Sequence, residues 1–257
     1  MKLIEVQFFK KKCKFEKNKG FKCELILLKK MKKTLVVLTG AGISAESGVA
    51  TFRDSDGLWE NFSIEEVATP QGWAKDPALV QRFYNTRREQ MLTVVPNEGH
   101  KILAKLEKYF NVKIITQNVD DLHERGGSTN ILHLHGQLTQ ARGSKDKEKI
   151  YDIGYTSIEM GDLAEDGTQM RPHIVWFGEE VPEIINAVEL AAEADVFVVV
   201  GTSMQVYPAA SLVNYVGENV PIYIIDPKKP DIELTKNMTY IQAVGSEGLQ
   251  QLFEILV

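Results

Sequence analysis

Cysteine is almost missing from this chain. Its 257 residues hold two, Cys13 and Cys23, and the body beyond has none. A disulfide framework is thereby excluded from the body, and so is a thiolate zinc site. Long apolar runs are also missing. No stretch of about 18 consecutive apolar residues occurs, so no transmembrane helix and no membrane partner are expected. Basic charge is scarce outside the first segment. Residues 1–33 carry 12 Lys and 3 Glu, whereas 34–257 carry 18 basic and 32 acidic residues, a balance of −14 against −5 for the whole chain. An acidic body lacks the clustered Lys and Arg of a nucleic-acid surface, though it suits a basic peptide. What is present is ordinary: 44% apolar and 25% charged residues, the composition of a globular α/β protein. The length allows one large domain or two smaller ones. The cysteine usage points to the cytoplasm.

Residues 1–30 read as a basic N-terminal extension. They lack the apolar core of a signal peptide and the Arg and Ser of a transit peptide. Met31 opens MKKTLVVLTG, just before a strand, so the folded domain is expected over 31–257 and the extension to be dispensable. A basic arm that contacts an acidic partner is the alternative.

Thr34–Thr39 is a short β-branched apolar run, read as a buried strand. Val112–Thr116, Asp195–Val200 and Pro221–Ile225 read likewise. Asp76-Pro77 is a helix start, with Asp as N-cap and Pro at the first helical position; that helix is expected to reach about Val94. Further helices are expected over 97–110, 208–217 and 245–256. Strands alternating with helices imply a parallel sheet with helices on both faces. Ligands bind such sheets at the carboxyl ends of the strands. Here those ends are Gly40-Ala41-Gly42, Gln117-Asn118-Val119-Asp120, Gly201-Thr202-Ser203 and Asp226, which should converge on one crevice. Segment 137–172 is polar and should form a small module away from the sheet.

Gly40-x-Gly42-x-x-Ala45 after a strand fits a dinucleotide fingerprint, whose glycines admit a pyrophosphate and whose helix amides face it. A Gly-rich turn without ligand is the plain alternative. A hydride-transferring Rossmann enzyme needs an acidic strand end about 20 residues on. The chain has instead the loop-like Ser47–Trp59, so a dinucleotide is expected without hydride transfer.

Five blocks resemble the sirtuins, the NAD-dependent protein-lysine deacylases: GAGISAESGVATFRDSDGLW (40–59), TQNVDDLHERGG (116–127), HLHGQL (133–138), RPHIVWFGE (171–179) and GTSMQVYPAA (201–210). They stand in the family's order across most of 34–257. The resemblance implies a Rossmann-like part, about 31–60, 111–136 and 173–257, and a smaller inserted module, about 61–110 and 137–172. NAD and an acyl-lysine of a protein or peptide would lie between them. The products would be deacylated lysine, nicotinamide and O-acyl-ADP-ribose. A monomer is expected.

The resemblance assigns the catalytic base to His135. Imidazole, with a pKa near about 6.5, suits removal of a ribose proton at neutral pH. His133, on the same side of the strand, is read as structural. Asn118 and Asp120 match the nicotinamide-pocket pair, although Asp120 also suits a helix cap. The resemblance further implies NAD contacts from Gly40, Ala41, Gly42, Glu46, Thr51, Phe52, Arg53, Trp59, Gln117, Val119, Gly201, Thr202, Ser203, Asp226 and Gly245. The family often has Asn where Asp226 stands. Val175, Trp176, Phe177 and Gly178 match the segment against which substrate pairs as an added strand.

Val80, Tyr84, Arg87 and Met91 fall on one helical stripe. A buried guanidinium there needs an anionic partner. Tyr84-x-x-Arg87 matches the pair that binds the carboxylate of succinyl- or malonyl-lysine in one sirtuin branch, and Ala68 matches its pocket-widening small residue. Alternatively, Arg87 pairs with an internal acid or reaches solvent. Most sirtuins hold zinc with two C-x-x-C pairs. Gly143 stands where the first of those cysteines is expected, and no His lies between 136 and 172. The module is therefore expected to lack zinc, held by a hairpin and by Ile150, Tyr151, Ile153, Tyr155 and Leu163. The competing readings are an NAD glycohydrolase or ADP-ribosyltransferase on the same scaffold, and a non-catalytic NAD-binding module.

Overall fold

Six strands pair in parallel throughout, in the spatial order Met238–Ile241, Ile222–Ile225, Val196–Val200, Thr34–Thr39, Asn111–Thr116 and Ile131–His133. The computed structural model describes residues 32–50, 62–257 and the backbone of 58–59. Along the chain come β1 (Thr34–Thr39), the one-turn helix α1 (Gly42–Ala45), a two-residue pairing of β2 (Leu58–Trp59) with β3 (Phe62–Ser63), and α2 (Ile64–Val67). Then follow α3 (Pro70–Lys75), α4 (Pro77–Met91), α5 (Glu98–Leu106), β4 (Asn111–Thr116), α6 (Leu122–Arg125) and β5 (Ile131–His133). The small antiparallel sheet comes from β6 (Gly136–Gly143), β7 (Ile150–Asp152) and β8 (Met170–Ile174). The chain closes with α7 (Ile184–Ala192), β9 (Val196–Val200), a 3₁₀ helix (Ala209–Tyr215), β10 (Ile222–Ile225), β11 (Met238–Ile241) and α8 (Gly245–Leu256). Residues 34–257 form one unit. No described helix is long and apolar enough to cross a membrane. The expected basic extension, 1–30, lies outside the described residues.

The strand order is that of a doubly wound nucleotide-binding sheet, with its switch point between β1 and β9. Alternation along β1 sorts its side chains. Leu35 and Val37 join β4, β9, α5 and α8 on one face; Val36 and Leu38 join α7 and the 3₁₀ helix on the other. Both faces are covered, which is why these strands read as continuous apolar runs.

Several boundaries differ from expectation. Helix α4 ends at Met91, not Val94, because Pro96 disfavours helical geometry at Val95 and the intervening Thr93-Val94 pair is β-branched. Helix α5, expected within the small module, contributes Ile102, Leu103 and Leu106 to the large sheet's core. Strand β11 and helix α7 lie beyond the expected elements; β11 has four residues, too short for a period to show.

The small module is held differently from expectation. Ile150 and Leu163 are exposed, so they do not form its core; Ala141 and Ile158 are buried instead. Its main tether is a polar row on α4. Gln81 Nε2 donates to the Met170 carbonyl, and Asn85 exchanges two 3.0 Å bonds with the main chain of Ile158. Arg88 Nε donates to the Leu138 carbonyl at 2.7 Å and Nη1 to Asn85 Oδ1. Spacings of 4 and 3 put these three side chains on one helical face. The residues do not fit zinc. A Cβ on Gly143 would stand 2.8 Å from a carboxylate oxygen of Asp166. That carboxylate already accepts from Asp146 N, Thr168 N and Thr168 Oγ1. Among the described residues no group of three His, Cys, Asp or Glu is placed to hold a metal.

Removing the Asn85 amide leaves the Ile158 main chain unsatisfied. Asn85→Ala should lower stability by about 1–3 kcal/mol. Thermal unfolding should show the loss, and limited proteolysis should cut residues 145–168 faster.

Candidate active site

The crevice at the switch point starts from two backbones in contact. Gly42 N donates to Gly201 O at 2.8 Å, and Gly201 has φ +63°. A Cβ on Gly42 would stand 2.6 Å from Gly201 Cα, so only glycine permits this approach. The N–H groups of Gly40, Gly42, Ile43 and Ser44 all donate to backbone carbonyls. With α1 a single turn, the loop offers a close, side-chain-free surface rather than the row of unoccupied helix amides expected.

At the end of β4 the polar tip closes into a buried triad. Asn118 Nδ2 donates to Ser44 Oγ (3.1 Å), and Ser44 Oγ donates to Asp120 Oδ2 (3.0 Å). Asp120 Oδ1 accepts from Leu122 N (3.1 Å), one residue ahead of the helix cap at Asp121. Burial pushes the Asp120 carboxyl up, while the bonds from Leu122 and Ser44 pull it back. Ser44 escaped the sequence reading; its only signal was a hydroxyl directly after the glycine loop.

Beneath the triad lies a second polar chain. Asn118 N donates to Thr116 Oγ1, Thr39 Oγ1 donates to the same oxygen (2.9 Å), and His123 Nε2 lies 3.0 Å from Thr39 Oγ1. Burial holds His123 well below the ordinary imidazole value, and holds its ring neighbour His100 at about 4.

His135 sits where β5 turns into β6. Its Nδ1 is 3.0 Å from the Gln117 carbonyl. A carbonyl only accepts, so Nδ1 carries the hydrogen and the neutral ring presents Nε2 as a base. Burial lowers its pKa; the Gln117 bond opposes that. His133 is structural, as read: Nε2 meets Glu124 Oε1 at 2.8 Å and Nδ1 meets the Asn118 carbonyl at 3.2 Å.

Around this centre Gln117 Nε2 donates to Thr202 Oγ1, linking the tips of β4 and β9. Asp226, at the end of β10, is buried and accepts from Lys228 N. Glu46 is drawn away, its carboxylate accepting from Ser246 N and Oγ beside Gly245. Thr51, Phe52 and Arg53 lie outside the described residues, as does the Trp59 side chain. Amide, hydroxyl and carboxylate groups thus meet at four strand ends beside a glycine surface. That donor set fits the ribose and carboxamide parts of NAD.

A cavity beside the crevice takes in Arg87, one of the residues that the resemblance assigns to the acyl group. Tyr84 and Arg87 are 0% and 5% exposed, so Arg87 does not reach solvent. Arg87 lies 3.7 Å over the Phe83 ring and lines a cavity with Met91, Val119, Asp120 and Leu138. Ala68 is buried, and its carbonyl accepts from Phe177 N. Val175 N donates to the His135 carbonyl and Trp176 N to Glu179 Oε2. The three successive N–H groups of this segment are thus taken up by the fold, so these donors do not offer the strand edge expected for substrate. Phe177 itself is 46% exposed, beside Gly178 at φ +88°.

Comparison with known proteins agrees with this geometry. Residues 40–208 match the model of the Sir2 family. An NAD-dependent protein deacylase of Bacteroides thetaiotaomicron is 53% identical over 230 residues, covering 88% of this chain and 98% of that protein. A Sir2 homologue bound to ADP-ribose superposes with a TM-score of 0.78 at 39% identity, covering 88% of this chain and 92% of the other. A Sir2 homologue–NAD complex gives 0.77 at 38% identity, with coverage of 88% and 90%. The chain belongs to the Sir2 family.

Proposed function

We propose that this chain is an NAD-dependent protein-lysine deacylase that accepts succinyl, malonyl and acetyl groups. The observation that carries the acidic-acyl reading is buried Arg87, one helical turn from buried Tyr84, on a cavity that Met91, Asp120 and Leu138 also line. A guanidinium kept from water is matched by a carboxylate, which it can bind through two parallel bonds. The names of the similar proteins support the coarser activity.

When bound, NAD supplies a ribose carbon with nicotinamide as its leaving group. Gln117, Thr202, Ser203 and Asp226 would hold its sugars and phosphates. Asn118 and Asp120 would orient the carboxamide, their own positions set by Ser44. His135, its Nδ1–H tied to Gln117, takes a proton at Nε2. Exposed Phe177 and Gly178 would meet the peptide, while Ala68, Tyr84 and Arg87 surround the acyl group. The small module performs this without zinc.

The imidazole of His135 is inactive as a base when protonated, and burial depresses its pKa. The acid limb of kcat/KM should therefore have its midpoint below 6.5, and His135→Ala should lose about 10²–10⁴-fold. A pH–rate profile checks both.

Arg87→Met should lower kcat/KM on succinyl-lysine peptide by about a hundredfold and spare acetyl-lysine. Equal losses would remove the carboxylate role. Mass analysis should find O-acyl-ADP-ribose as the sugar product; free ADP-ribose alone would indicate glycohydrolase action. Metal analysis should find no stoichiometric zinc, and EDTA should leave the unfolding temperature unchanged.

A further inference from the structure

Helix α1 is a single turn, and one turn does not hold itself together in water. Its place is imposed by its neighbours. That place matters, because α1 carries Ser44, whose hydroxyl binds both Asn118 and Asp120. The glycine contact fixes its first residue, Gly42. Its far end is tied by Glu46, whose carboxylate accepts from Ser246 in the first turn of α8. The middle is held by Asn97, whose Nδ2 donates to the Ile43 carbonyl at 2.7 Å and to Ser47 Oγ at 3.0 Å.

Asn97 is also the N-cap of α5, and its Oδ1 accepts from Gly99 N at 2.9 Å. That bond fixes which end of the amide is oxygen, so both Nδ2 hydrogens go to α1 and the residue after its cap. The oxygen secures α5; the nitrogen does nothing for it. The two donated bonds fall on either side of Ser44. The Ile43 carbonyl and the Ser44 N–H belong to one planar peptide group. Its N–H end donates to the Ala41 carbonyl at 3.0 Å, and its carbonyl end is the one that Asn97 grips. Ser47 N closes onto the Ser44 carbonyl, three residues back rather than four, so the Ile43 carbonyl takes its donor from Asn97 instead.

We propose that Asn97 is a positioning residue for the nicotinamide end of the site: by gripping the peptide group that carries Ser44, it sets the hydroxyl that orders Asn118 and Asp120. The glycine surface is held separately, by Gly42 against Gly201, and does not depend on Asn97. The proposal rests on the reading of Asn118 and Asp120 as the pair that holds the carboxamide.

The two duties of Asn97 can be separated. Asp and Ser cap helices about as well as Asn. A carboxylate has no hydrogen to give, and a serine hydroxyl stops one atom short of the Nδ2 position. The test uses the whole chain carrying Asn97→Asp, Asn97→Ser, Ser44→Ala, Asn97→Asp with Ser44→Ala, and Asn118→Ala. It measures inhibition of acyl-lysine turnover by nicotinamide, the leaving group, and binding of ADP-ribose, which lacks the carboxamide. Asn97→Asp should weaken nicotinamide inhibition about tenfold and ADP-ribose binding by less than about twofold. In the Ser44→Ala background it should add less than about twofold to the nicotinamide loss, since Asn97 acts through Ser44. A merely structural role would weaken both ligands alike and add to the Ser44 loss, which would overturn the proposal. Should Asn97→Asp unfold, Asn97→Ser, which brings no charge, decides by the same two readouts. If Asn118→Ala weakens nicotinamide inhibition and the Asn97 variants do not, this inference alone fails. If Asn118→Ala leaves nicotinamide inhibition unchanged, the carboxamide reading fails and carries this inference with it.

Discussion

The site depends on two stretches of backbone touching with nothing between them. Where Gly42 meets Gly201, the tips of β1 and β9 come within a single hydrogen bond of each other. A methyl group at either position would part them. Their contact places Ser44 over the end of β4, where it binds both Asn118 and Asp120. Asn118 and Asp120 are thus organised by the glycine turn as much as by their own strand.

Burial and a few hydrogen bonds set the state of the histidines around the site. Each histidine near the site has a partner or packing that sets its state. The Gln117 carbonyl decides the tautomer of His135, and Glu124 holds His133. Burial keeps His100 and His123 uncharged. A site with so many neighbouring imidazoles would be electrostatically unstable if they titrated together near neutrality. Desolvation keeps His100 and His123 uncharged, while His135, beside the crevice, has its tautomer set by the Gln117 carbonyl.

Much of this was legible in the residues. The strands flanked by glycine and polar tips revealed themselves because β1 and β9 are buried on both faces and must be apolar throughout. The 80-84-87-91 stripe was legible for the same reason, and all four side chains are buried. The four-residue strand β11 was not, nor was the pinning of the small module to α4 by Gln81, Asn85 and Arg88. A sequence does not show that carbonyls of a distant sheet will meet those three side chains. The apolar residues expected to hold the module were chosen by type, and Ile150 and Leu163 lie outside. Ser44 was missed because one hydroxyl beside a glycine turn carries no period at all. The inward N–H groups of Val175–Phe177 were hidden because their acceptors, the carbonyls of His135 and Ala68 and the Glu179 carboxylate, depend on tertiary placement.

Helix α4 carries two adjoining rows, Tyr84 and Arg87 on one, with Arg87 lining the cavity, and Gln81, Asn85 and Arg88 on the other, bound to the small module. Because both belong to one rigid rod, neither can be moved alone. Sliding the rod to widen the cavity beside Arg87 would drag Asn85 off Ile158 and Arg88 off Leu138. The size of that cavity is therefore calibrated by the same anchorage that holds the small module, and a redesign of one must rebuild the other.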